Sequence, residues 1–146
     1  MVARIIELAV YRAQRTLANR EVAEKAALAK ERASFHFWAG ASGKRYVHHI
    51  YSLRECPALP AANYVLVRRH EDSRAEALAI GRVTHEADTL NLAEIRQRGA
   101  ELAADEVHVH LLAPSNKISK LIEFDLRTAQ AQTELNVASA GSNRLH

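Results

Sequence analysis

Hydrophobic positions recur at helical spacing through the first quarter of the chain, and segments of strand and helical spacing follow one another through the remainder. Ile6, Val10, Ala13 and Leu17 step by four and three and line one face of a helix. Residues 3–34 contain no Gly or Pro and are rich in Ala, Leu, Glu, Lys and Arg, all strong helix formers. Beyond Leu17 the stripe thins to Ala23, Ala26 and Ala27, with Glu21 and Lys25 as an i,i+4 pair outside it. The pattern predicts a long N-terminal helix that stops near Phe37, ahead of the Gly40-Ala41-Ser42-Gly43 break.

Arg45 to Leu53 then alternates or runs apolar through Tyr46, Val47, Ile50 and Tyr51, which predicts a strand closed by Pro57 and Pro60. Two further runs, Ala62–Arg68 and Ala77–Gly81, read as neighbouring strands. Thr84 or Asp88 caps a helix to about Arg98, where Gly99 is a stop signal, with continuation to Ala104 as the alternative. Glu106 to Leu112 alternates strictly and is the clearest strand of the chain. After Pro114, Ser115 or Asn116 caps a last helix carrying Ile118, Leu121, Ile122, Phe124 and Leu126. From Thr133 the chain turns polar and is expected to be a loose tail.

These elements predict an α+β fold, with a small, mainly antiparallel sheet of three or four strands packed by two helices and a long N-terminal helix added. The expected organisation is a helix over 1–37, an α+β domain over 38–132 and a flexible tail over 133–146. At 146 residues the chain is long enough for one domain with a real core. A single cysteine, Cys56, excludes an internal disulfide and fits a reducing compartment. No run of about twenty apolar residues is present, and Arg4 and Glu7 interrupt any signal-peptide pattern, so a cytoplasmic protein with no membrane partner is expected. The net charge of +3 is unevenly spread: residues 1–75 carry 13 Lys+Arg against 7 Asp+Glu, and residues 76–146 carry 7 against 10. A basic half of this size permits phosphate contacts without demanding them.

Asn63-Tyr64-Val65, Ala79-Ile80-Gly81 and the later Glu123 fall in a strand–strand–helix–strand–helix layout between residues 62 and 130. That layout resembles the GIY-YIG nuclease domain. In that family two strand tyrosines and a helix arginine face the scissile phosphate, and a helix glutamate holds a divalent metal that offsets developing charge. The resemblance implies vestigial catalytic roles for Tyr64 and Glu123, with Glu123 as metal ligand and magnesium as cofactor if cleavage survives. It departs from the family at Ala79, where the second tyrosine is missing. It departs again at Glu86-Ala87-Asp88, where acids replace the expected arginine and reverse the local field around an anion. Arg82, Arg96 and Arg98 are the cations left to substitute. The resemblance therefore implies a non-cleaving module that needs no cofactor.

Other chemistry is thinner. His108 and His110 share one strand face beside Glu106, an arrangement that can hold a metal. Alternation also explains them, with Val107, Val109 and Leu111 inward and the histidines toward water. Gly40-Ala41-Ser42-Gly43-Lys44 lacks the spacing of a phosphate loop and reads as a turn. The expected function is binding of a macromolecular partner, nucleic acid foremost, with phosphate contacts from Arg12, Arg15, Arg20, Lys44, Arg45, Arg68, Arg69 and Arg82. The alternatives are a metal-dependent nuclease using Tyr64 and Glu123, and a protein-interaction or regulatory module that forms homo-oligomers through the N-terminal helix.

Overall fold

The computed structural model describes residues 16–25 and 34–144, with side chains described as far as residue 139. The chain divides into two compact units, Met1–Ser34 and Phe35–His146. In the first, residues 16–25 form a helix, α1, whose described positions are all exposed. Of the helix expected over 1–37, residues 1–15, including Arg12 and Arg15, and 26–33 lie outside the described residues.

The second unit is built on five strands: β1 (Phe35–Ala39), β2 (Arg45–Ser52), β3 (Ala62–Arg69), β4 (Ala75–Val83) and β5 (Glu106–His110). They form one sheet in the order β1-β2-β5-β3-β4, and every neighbouring pair is antiparallel. The expected three or four strands are thus five. The extra one is Phe35–Ala39, which the helix-forming run before it had absorbed; it pairs instead with β2, Phe35 opposite His49 and Trp38 opposite Tyr46. The Gly40–Lys44 segment is the hairpin turn between them, closed by the Gly40 N–H donating to the Lys44 carbonyl at 2.8 Å. Gly43 sits at φ +88°, where a side chain would strain the backbone.

Helix α2 (Asp88–Glu101) connects β4 to β5, and α3 (Asn116–Arg144) follows β5. The long helix of the described residues is therefore C-terminal, 29 residues from Asn116, and not N-terminal. It runs through the segment from Thr133 that reads as a loose tail, because Ala129, Ala131, Leu135, Val137 and Ala138 contain no breaker.

The helices lie on opposite faces of the sheet. One core joins Ile95 of α2 to Tyr64, Leu66, Ala79, Val83, Val107 and Val109, with Leu92 packed at its margin. The other joins Ile122 and Leu126 of α3 to Val65, Val67 and Ile80, with Trp38 and Tyr46 at its margin. Successive side chains on a strand point to opposite faces, so β3 supplies both cores by alternation. Its stretch Ala62–Val67 is buried throughout, which marks it as a central strand covered on both sides.

Candidate nucleic-acid interface and the fate of the nuclease-like residues

Tyr64 belongs to the face beneath α2. It is 1% exposed, and its hydroxyl accepts a hydrogen bond from Arg98 Nη1 at 2.8 Å. Opposite it in the ladder stands Gly81, where an added Cβ would lie 2.6 Å from the Tyr64 hydroxyl. The tyrosine therefore fills the space that the glycine leaves, and α2 closes over it. An arginine does reach this tyrosine, but from the last turn of α2, half-buried at the margin of the core. Ala79, standing where the second tyrosine of the nuclease pattern would be, is a small core residue on the same face as its ladder partner Leu66.

Glu123 sits on α3, which covers the other face, and pairs loosely with Arg127 at 3.8 Å. The sheet thus separates Tyr64 from Glu123, and the two do not form one site. The i,i+4 pair is the surface arrangement expected of an acid on a helix flank.

His108 and His110 also differ from their expected surroundings. Both are buried, at 0% and 5% exposure, because α3 covers the face that alternation alone assigns to water. His108 spends both ring nitrogens: Trp38 Nε1–H donates to Nδ1 at 2.9 Å, and Nε2 reaches Glu106 Oε1 at 2.9 Å. Glu106 in turn takes the Arg69 guanidinium through two bonds, at 3.1 and 2.7 Å. This chain of contacts crosses β1, β5 and β3 and leaves His108 no nitrogen for a metal. Burial pushes its imidazole down to about 4, against the opposing pull of Glu106.

His110 and His48 are arranged differently. The Val47 carbonyl lies 2.7 Å from His110 Nδ1, and the Tyr46 carbonyl 2.8 Å from His48 Nδ1. A carbonyl only accepts, so both Nδ1 atoms carry a proton, and in the neutral form of each ring the lone pair is on Nε2. His48 Nε2 is buried without a partner. Its imidazole is pushed down to about 3, first by burial and then by the neighbouring histidines. Among the described residues no group of three or more His, Cys, Asp or Glu side chains is placed to hold a metal ion.

The basic residues expected to hold phosphate do not share a surface. Arg20 is exposed on α1, in the other unit. Arg68 and Arg69 lie at the end of β3 beside β4's start, and Arg69 is committed to Glu106 and the Ser73 carbonyl. Lys44, Arg45 and Arg82 lie at the opposite end of the sheet.

One exposed surface does combine cation and aromatic. Helix α2 packs over β3, β4 and β5 and its core reaches Tyr51 at the end of β2, so among the described residues β1 and β2 up to His49 are left open on that side, with half-buried Tyr51 at the border. There Phe35 is 39% exposed and Phe37 52%. Phe35 meets the His49 ring edge-on at 4.7 Å, and His49 stacks on Tyr51 at 4.7 Å. The Arg45 guanidinium lies 4.8 Å above the Phe37 ring. Neither strand contains an acid. Burial and the neighbouring Cys56 raise the Tyr51 phenol above its ordinary value, so it remains neutral. The hairpin carrying this surface is anchored by Asp125 of α3, which accepts from the Ser42 N–H at 2.8 Å, Ser42 Oγ at 2.6 Å and Tyr46 Oη at 2.7 Å.

Sequence reasoning found Arg45 here but not the aromatic row. The signal was present in Phe35-His36-Phe37-Trp38, where period-two alternation is carried by aromatics, residues with a strand preference. The Asp125 anchor has no local signal, since its partners lie about eighty positions away in the chain. Comparison with known proteins assigns no family, since no family model, curated protein or solved structure matches this chain.

Proposed function

We propose that this protein is a non-catalytic module that binds single-stranded nucleic acid across the open face of β1 and β2. The observation that carries the reading is the row Phe35, His49 and Tyr51 with Phe37 beside it under Arg45. Unpaired bases stack on such rings whatever their sequence, each worth about 1–3 kcal/mol, and a duplex offers no free base faces to them. Lys44 and Arg45 at the hairpin end, with no carboxylate on either strand, suit a phosphate backbone running past the rings. The non-catalytic part rests on Tyr64 being closed beneath α2 while Glu123 lies with the helix on the other face. Binding of this kind is weakly sequence-specific and falls with salt.

The test is a titration of fluorescent single- and double-stranded oligonucleotides at low and moderate salt, with and without magnesium. Single strands are expected to bind more tightly than duplex. Phe37→Ala should weaken them by about tenfold, the loss of one stacked base, with little change in thermal stability because the ring is half exposed. Cleavage with magnesium would overturn the non-catalytic reading. Absence of binding at low salt would overturn the nucleic-acid reading and return the choice to self-association or a protein partner.

A further inference from the structure

At the end of the sheet where β4 finishes and α3 begins, a cavity of about 370 Å³ opens among Asn63, Arg82, Thr84, His110, Asn116 and Ser119. No acid lines it. Arg82 is held in place by Nε donating to Ser119 Oγ at 2.9 Å and by Nη2 donating to Asn116 Oδ1. Neither partner is charged, so the guanidinium is positioned but not neutralised, and among the described residues its Nη1 hydrogens remain free. Ser119 is fixed in its turn, since its Oγ donates to Asn63 Oδ1 at 2.7 Å and its carbonyl accepts from Asn63 Nδ2 at 2.9 Å. A buried pair of neutral side chains thus pins the cation.

Two further features converge on the same space. Helix α3 starts here, and its first turn carries no acid. Ser115 Oγ accepts from the Ile118 N–H at 3.2 Å, while the Asn116 and Lys117 amides donate to no side chain or carbonyl among the described residues. Unsatisfied amides at the positive end of a 29-residue helix favour an anion. Independently, His110 lines the cavity, is 5% exposed, and has Nδ1 committed to the Val47 carbonyl. Its Nε2 is therefore a lone pair without a partner, suited to accept the P–O–H hydrogen of a singly protonated phosphate.

We propose that this cavity is a binding site for a phosphate-class oxyanion, held by Arg82 and the first-turn amides of α3 and read by His110 Nε2. The source is either free phosphate or the terminal phosphate of a nucleic-acid strand, and the site does not depend on the aromatic face for its logic. Isotope-labelled full-length protein titrated with inorganic phosphate should show saturable shifts at the Asn116, Lys117 and Ser119 amides and at the His110 ring. Arg82→Gln should weaken that binding by about tenfold or more, the loss of a charge-assisted contact, with the remaining spectrum showing whether the variant is folded. Because Arg82→Gln also touches Ser119, Arg82→Lys is the second variant, keeping the charge and retaining part of the affinity. Shifts scattered over surface lysines, or no saturable shift at these four groups in the parent protein, would overturn the proposal. A 5′-phosphorylated oligonucleotide that displaces phosphate where its unphosphorylated counterpart does not would identify a strand end as the source; equal, weak competition by both would identify the free anion. Phe37→Ala leaves the phosphate titration unchanged, so loss of the aromatic-face reading and loss of this site are separately visible.

Discussion

Toward α2 the sheet presents Tyr64, Leu66, Val107 and Val109, whereas one residue along on the same strands, toward α3, it presents Asn63, Val65, His108 and His110. Both sets are buried. The α2 face is held mainly by contact between apolar groups, with the Tyr64–Arg98 bond at its margin and one buried amide, Asn91 of α2, whose bonds go to Leu59 and His85 backbone and not to the sheet. The α3 face is a mosaic, in which Val65, Val67 and Ile80 pack on Ile122 and Leu126 while His48, Asn63, His108, His110 and Ser119 are buried beside them. Burial of apolar surface is favourable almost regardless of arrangement. Burial of a polar group is favourable only when its partners are supplied, and an imidazole must also stay neutral. The two faces should therefore fail by different routes.

Acid should separate them most. In the unfolded chain His48 and His108 titrate near 6.5, whereas burial takes them down to about 3 and about 4 in the fold. Below pH 6.5 the unfolded chain binds protons that the folded chain does not, so stability rises with pH across this window. It is complete above 6.5 and is lost as pH falls toward the folded values. Between pH 6.5 and 5 the loss is about 2 kcal/mol for each histidine, or about 4 kcal/mol together. The groups around His48 are His36, His108 and His110, which oppose its charging further, while Glu106 favours charge on His108. Urea unfolding at pH 7.5 and pH 5 measures the difference, and His48→Gln should remove about half of it. A stability unchanged between those two pH values would mean that the α3 face is not sealed.

On the α2 side the matching experiment is a cavity. Ile95 is fully buried against Tyr64 and the valines of β5. Ile95→Ala should cost about 3 kcal/mol, and Ile95→Val about 1 kcal/mol, with no dependence on pH between 7.5 and 5. Asn63→Ala on the α3 side removes little apolar surface yet should still cost about 2 kcal/mol, because the buried Ser119 carbonyl and hydroxyl both lose a partner. Asn63→Leu should not recover that loss, since restoring volume does not restore the hydrogen bonds. Recovery by leucine would make the α3 face behave like the α2 face and would erase the distinction.

Much of this architecture is legible from local pattern, and the missing parts share a cause. The period-two run at Glu106–His110 is a strand, β3, β4 and α2 fall where spacing places them, and α3 starts at its expected Ser115 cap, whereas α2 begins after Ala87 with no side-chain cap from Thr84 or Asp88. What alternation cannot reveal is that its polar phase is also covered, because the cover is a helix contributed from residue 116 onward. Phe35–Ala39 is hidden by the helix-forming run before it, and its strand state is decided by a partner ten residues later across the Gly40–Lys44 turn. Tyr64 and Glu123 have the spacing of a site, but spacing along the chain does not say on which side of a sheet a helix will lie. Arg82 of β4 meets Asn116 and Ser119 of α3 from more than thirty positions away, and the three carry no local signature at all.

The smallest of the expected effects bears on Tyr64, where the mainly apolar face meets the Arg98 guanidinium. Tyr64→Phe keeps the ring against Gly81 and removes only the hydroxyl that accepts from Arg98. Arg98 is half-buried and its guanidinium also lies 5.9 Å from the ring, so part of its environment survives the change. A loss of about 1 kcal/mol is expected in urea unfolding, the net worth of one hydrogen bond partly open to water. If the tyrosine is a packed core residue, the same variant should bind oligonucleotide as the parent does, since a side chain 1% exposed cannot touch a ligand. A tenfold loss of oligonucleotide affinity without a matching loss of stability would instead mean that α2 opens to admit the ligand. The functional surface would then move from β1 and β2 to the space beneath α2, where the nuclease resemblance first pointed.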